Sequence, residues 1–152
     1  MNMIPMLLFV HIVGVVIWVG GMFFAYVCLR PAATKILEQP LRLTLWKAVF
    51  DRFFPAVWAA VFLILLSGLG ILSTVGFAGA PLHWHMMFLT GLIMMAVFVA
   101  IVLLPFRQLA NAVATSNWSA GGAALGRIRQ LVGFNLILGL ATIAVATLGR
   151  WL

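Results

Sequence analysis

Uncharged apolar stretches of about twenty residues, the length of helix that crosses a hydrocarbon layer, recur four times along the chain. Each is bounded by bases, a proline or a glycine-rich turn. The first covers 4–29 and stops at Arg30-Pro31. The second covers 53–75 and runs into Gly76-Phe77-Ala78-Gly79-Ala80. The third, 81–105, opens on Pro81, a favoured first-turn residue. The fourth covers 131–149. This pattern predicts an all-α fold, an integral membrane four-helix bundle occupying 1–152 as one domain. Between the first two spans, Lys35, Arg42 and Lys47 alternate with Leu and Trp46, which predicts a short interfacial helix on the membrane surface. Between the last two lies a small, polar stretch, with Ser116 or Ser119 as the expected helix N-cap.

Composition strengthens the membrane reading. Of 152 residues, 66% are hydrophobic and 7% charged, so lipid is the solvent in which such a surface is stable. The net charge of +7 arises because Glu38 and Asp51 are the only acids, while the bases cluster beside apolar spans. That is the pattern of membrane topology rather than of nucleic-acid binding. Eight of the nine bases fall in the first and third loops, and only Arg150 falls on the other side. The positive-inside rule therefore predicts both termini on the outer, periplasm-like face. Residues 1–21 lack a basic n-region and an A-x-A site, and are expected to be a retained first helix rather than a signal peptide. Cys28 is the sole cysteine, so no internal disulfide can form, and no CxxCH haem-attachment motif is present.

Ionisable residues inside a bilayer are costly and mark candidate chemistry. His11, His83 and His85 all fall in spans or at their edges, near the expected outer surface. His11 and His85 lie at similar expected depth on two parallel helices, and two imidazoles so placed suit the axial positions of haem b. His83, ahead of the span proper, is the second choice as a metal ligand. On the first helix His11, Gly14, Trp18 and Gly21 share one face, where glycine would leave room for a flat macrocycle; Gly68, Gly70, Gly133 and Gly139 would do likewise. Arg150, beside Trp151, is placed to meet haem propionates. Asn135 is expected to donate a hydrogen bond between helices. Copper competes with haem: Met1, Met3 and Met6 precede His11, and Met86 and Met87 follow His85, a thioether and imidazole set that suits Cu(I). No carboxylate pair, Ser-His-Asp arrangement or phosphate loop is present, and no span contains an acid.

The stretches HIVGVVIWVGGMFFAYVCLRPAA, LRLTLWKAVFDRFFPAVW, HWHMMFLTGLIMM, PFRQL and IRQLVGFNLILGL resemble the CopD-like integral membrane proteins of bacteria, over most of the chain. The first-helix pattern is also similar, more distantly, to the HemJ-type protoporphyrinogen oxidases, small haem b proteins in which a first-helix histidine and a third-helix lysine matter. His11 matches that histidine. The lysine position is His85 here, a departure that favours a bis-histidine haem centre over porphyrinogen oxidation. The resemblance implies the bacterial inner membrane and, through the CopD association, a copper-resistance role. The expected function is thus electron transfer or a small oxidoreductase reaction at a haem b held by His11 and His85 near the outer face. Copper handling and a HemJ-type oxidase stand as alternatives. The expected partners are membrane lipid and, for the redox reading, a quinone or a periplasmic redox protein.

Overall fold

The computed structural model describes residues 3–149, which form six α-helices and no strand. Helix α1 spans Ile4–Phe23, with Pro5 in its first turn, where a missing N–H costs nothing. A π-helical turn over Phe24–Leu29 carries it into α2, Arg30–Ile36. Pro31 explains the widened turn. Its ring crowds the Val27 carbonyl and offers no N–H, and the π turn before it accommodates both, with the Arg30 N–H donating to the Ala25 carbonyl five residues back.

Helix α3 spans Gln39–Val75, opens on Pro40 and ends at Gly76. There φ is +79°, a left-handed value that glycine adopts without a Cβ clash. After a short 3₁₀ turn at Phe77–Gly79, α4 runs from Leu82 to Leu103. Pro105 forces the break that follows: Leu104 leaves the helical region at φ −112°, ψ −83°, and α5 restarts over Pro105–Ala114. Helix α6, Trp118–Leu148, is capped by the Asn117 side chain, which accepts from the Ala120 N–H at 3.1 Å.

Four continuous rods result, Ile4–Ile36, Gln39–Val75, Leu82–Ala114 and Trp118–Leu148, each long and apolar enough to cross a bilayer. The protein is a multi-pass membrane protein built as a four-helix bundle. Two expectations are corrected. The segment between the first two spans is not a separate interfacial helix: Lys35 lies in α2, which continues the first rod, and Arg42 and Lys47 lie in the first third of α3. At 1.5 Å per residue α3 is about 55 Å long against about 30 Å of hydrocarbon. Leu43, Trp46 and Phe50 are buried there and extend the packed face of the span. Likewise the stretch before the fourth span is helical, as α5 and the start of α6, and its N-cap is Asn117 rather than Ser116 or Ser119.

Two helix pairs make the bundle. Helix α1 lies antiparallel along α3, and α4 and α5 lie along α6; α1 and α4 occupy opposite corners. In lipid, helix association relies on close packing and interhelical hydrogen bonds rather than on expulsion of water, and both are visible. A Cβ at Gly14 would stand 2.7 Å from Ile64 Cγ1 and 3.2 Å from the Ala60 carbonyl oxygen, so the absence of a side chain sets the α1–α3 distance. The second pair is pinned by a hydrogen bond between the Thr142 and Thr90 hydroxyls (2.8 Å) and by Asn135 Nδ2 donating to the Met94 carbonyl (3.1 Å). The latter is the interhelical bond expected of Asn135. Between the pairs, Phe98 of α4 is a hub, edge-on to Trp18 of α1 and to Phe54 and Trp58 of α3 at 5.1–6.1 Å between centroids. Large apolar side chains such as Phe9, Val16, Phe62 and Ile137 point outward, as lipid allows.

The bundle is polarised. Arg30, Lys35, Arg42, Lys47, Arg52, Arg107, Arg127 and Arg129 gather at the end holding α2, α5 and the beginnings of α3 and α6. The three histidines gather at the other end.

Candidate functional site at the histidine end

His11 lies in α1, about 10 Å from the helix start at 1.5 Å per residue. It is half-buried and turned onto α3, where its Nδ1 is 3.0 Å from Ser67 Oγ. Ser67 is only 2% exposed. Its hydroxyl has one proton and lies 2.5 Å from the Leu63 carbonyl oxygen, its shortest contact, so the proton goes there. The serine oxygen is then free to accept from His11, an arrangement that favours the Nδ1–H tautomer. The consequence is chemical. The contact orients the imidazole and, in its neutral Nδ1–H form, leaves the Nε2 lone pair unused by this bond. A histidine whose second nitrogen is fixed by a hydrogen bond is the form in which imidazole serves as a metal ligand.

Antiparallel register makes this contact. Leu7 packs over Gly70, His11 over Gly68 and Gly14 against Ile64, so successive turns of α1 meet successive turns of α3. The absence of a side chain at Gly68 makes room for the His11 ring, whose Cε1 would be 3.4 Å from a Cβ there. The expected shared face of His11, Gly14, Trp18 and Gly21 is thus real, but it packs on the protein. The gaps at the glycines are filled by side chains: Ile64 at Gly14, Phe53 at Gly21, Leu7 at Gly70, Tyr26 at Gly133, and Val19 with Met94 at Gly139. Each of these glycines therefore serves close packing, and Gly21 also borders a cavity beside Trp18. Trp18, 3% exposed, is closed in the core against Phe98.

The other two histidines have different neighbours. His83 packs against Gly149 at the end of α6, where a Cβ would come within 2.8 Å of the His83 Cβ. It continues the stripe of α4 that faces α6 through Thr90 and Met94. His85 is about 200° further round the helix and sits against Phe77 of the connecting turn, ring centroids 4.6 Å apart. It is also about 140° away from Phe98, the α4 residue that reaches α1. The contacts the two imidazoles make are thus different: His85 meets Phe77 and His11 meets Ser67. Among the described residues no three His, Cys, Asp or Glu side chains converge on a common point. Arg150, the expected propionate partner, lies outside the described residues, as does Trp151.

Methionine supplies the remaining soft donors at this end. Met3 and Met6 stand at the start of α1 and Met86 and Met87 in the first turns of α4, with Met3, Met6 and Met86 exposed. Ser67 is the partner of His11 that sequence reasoning missed. Its signal was a hydroxyl and two glycines, Ser67-Gly68-Leu69-Gly70, interrupting the apolar run at the depth of His11.

No curated protein and no solved structure matches the chain. A family model does, over residues 47–148, a range that takes in Ser67, His83 and His85 and leaves His11 outside. On that match the chain belongs to the CopD family, copper resistance protein D.

Proposed function

We propose that the protein handles copper at the histidine end of the bundle, with His11 as the anchoring ligand and copper as the cargo rather than a resident cofactor. The observation that carries this reading is the 3.0 Å contact between His11 Nδ1 and the Ser67 hydroxyl, which supports the Nδ1–H tautomer with Nε2 as the metal's donor. Thioether and imidazole donors together favour Cu(I) over harder cations, and methionines at the starts of α1 and α4 supply the thioethers. The distribution of bases supports this end as the outer face, and copper would then be met on the periplasmic side. The family description, copper resistance, supports the same chemistry.

The same tautomer of His11 would serve a haem iron, and electron transfer at haem b is the second use of that nitrogen. It needs a second axial ligand. His85 rests on Phe77 and the glycine gaps are filled, so copper is preferred. Copper tolerance and cell-associated copper, measured in cells producing the intact protein or its His11→Gln variant, test the proposal. The variant is expected to abolish the change that the intact protein produces. An unaltered copper phenotype, with a low-spin b-type spectrum that is lost in the variant, would overturn it in favour of haem.

A further inference from the structure

At the basic end, a cleft of about 250 Å³ opens between the π turn, α2, the start of α3 and α6. Arg30, Arg42 and Arg129 line it together with Tyr26, Thr34 and Gln39, and no carboxylate does. Its arginines are not spent on acids: among the described residues the one ion pair is Lys47–Asp51, outside the cleft. Arg30 is held over the Tyr26 ring, 5.3 Å from its centroid, and Arg42 touches the Leu37 carbonyl at 3.4 Å, which leaves guanidinium N–H groups of both available. Below the cleft, towards the bundle centre, lies a second cavity of about 330 Å³, walled by Trp18, Phe50, Phe53, Phe54 and Phe98. The two share Ala25, Phe50 and Val132 as common wall. The π turn contributes to both. Such turns occur mostly as single insertions in α-helices and often at binding sites.

A charged mouth at the basic end, beside an aromatic cavity with which it shares wall residues, has the chemistry of an anionic amphiphile. We propose that this end binds an anionic phospholipid, its phosphate against Arg30, Arg42 and Arg129 and an acyl chain in the aromatic cavity. Basic pockets between membrane helices take anionic headgroups in this way, and planar guanidinium groups match phosphate oxygens two at a time. The site is remote from His11 and does not depend on the copper reading.

Native mass spectrometry of the detergent-purified chain tests it, with phosphatidylglycerol, phosphatidylcholine and soluble glycerol 1-phosphate as probes. Phosphatidylglycerol is expected to stay bound, and the other two to bind more than about tenfold more weakly, since one lacks net charge and the other lacks the chain. Arg30→Gln, Arg42→Gln and Arg129→Gln should each weaken phosphatidylglycerol binding more than about tenfold, the loss of a charge-assisted hydrogen bond. Arg107→Gln and Arg127→Gln lie outside the cleft and should lose no more than the general attraction of a basic residue for an anionic surface, about fivefold. Arg129 is exposed, so its variant keeps the test valid if Arg30 or Arg42 proves necessary for folding. Equal losses in cleft and control variants would overturn the proposal. So would glycerol 1-phosphate binding as tightly as the lipid, which would mean a free phosphate ester, or phosphatidylcholine binding equally.

Discussion

Ser67 and His11 are 56 residues apart in the chain and 3.0 Å apart in the bundle, Oγ of the one hydrogen-bonded to Nδ1 of the other. One serine thus does two things. It ties α1 to α3 in a solvent where polar contacts are scarce and, on the proposed function, orients His11 for a metal.

Ser67→Ala separates these effects. Interhelical hydrogen bonds in membranes contribute about 0.6 kcal/mol on average and seldom above about 2, so the variant should remain folded, with thermal unfolding in detergent lowered only slightly. Loss of an orienting partner typically costs a ligating histidine about 10–100-fold in metal affinity. A Cu(I) titration against a chelator should show a fall of that size in Ser67→Ala. Unchanged affinity would mean that the serine is only a helix pin.

Gly14→Ala should destabilise the bundle. The added methyl would meet the Ala60 carbonyl at 3.2 Å as well as the end of Ile64, and a backbone oxygen cannot move without the helix. Overpacking of this kind costs about 1–3 kcal/mol. Thermal unfolding in detergent checks it, and Gly20→Ala, where a Cβ meets nothing within 4 Å, is the matched control expected to be neutral.

Asn135 invites the opposite expectation. It is 1% exposed, and its Oδ1 has no partner among the described residues, although its Nδ2 donates to Met94. Asn135→Leu would lose one bond and remove one unsatisfied acceptor beside the aromatic cavity, so its stability should lie within about 1 kcal/mol of the parent. Asn135→Asp would bury a carboxylate there and should lower stability by several kcal/mol, about the penalty for an unpaired buried charge. Unfolding of the two variants in parallel distinguishes them.

How much of this was legible in the sequence depended on what lipid enforces. Hydrocarbon tolerates no charge and no unpaired backbone, so the four spans stand out as uncharged runs. Outside the hydrocarbon that constraint lapses. Leu43, Trp46, Phe50, Phe54 and Val57 recur at helical spacing and all are buried, yet Arg42, Lys47, Asp51 and Arg52 lie among them, so the stretch resembles a surface loop. The same mixture conceals α5 and the start of α6. At the site, the shared face of His11, Gly14, Trp18 and Gly21 follows from the 3.6-residue turn. What that face meets does not, because helix rotation and neighbour order are set by packing. The Gly14–Ile64 contact and the Phe98 hub turn His11 to Ser67 and leave His85 against Phe77.

The most direct test of the copper reading is a Cu(I) competition titration of the detergent-purified chain and its His11→Gln variant, with circular dichroism to confirm that both keep their helices. The glutamine amide can still donate to Ser67 but offers the metal no imidazole nitrogen. The intact chain is predicted to hold Cu(I) against the chelator and the variant to lose at least about tenfold in affinity, as removal of a ligand should. Equal Cu(I) affinity in the two folded proteins would contradict the role assigned to His11.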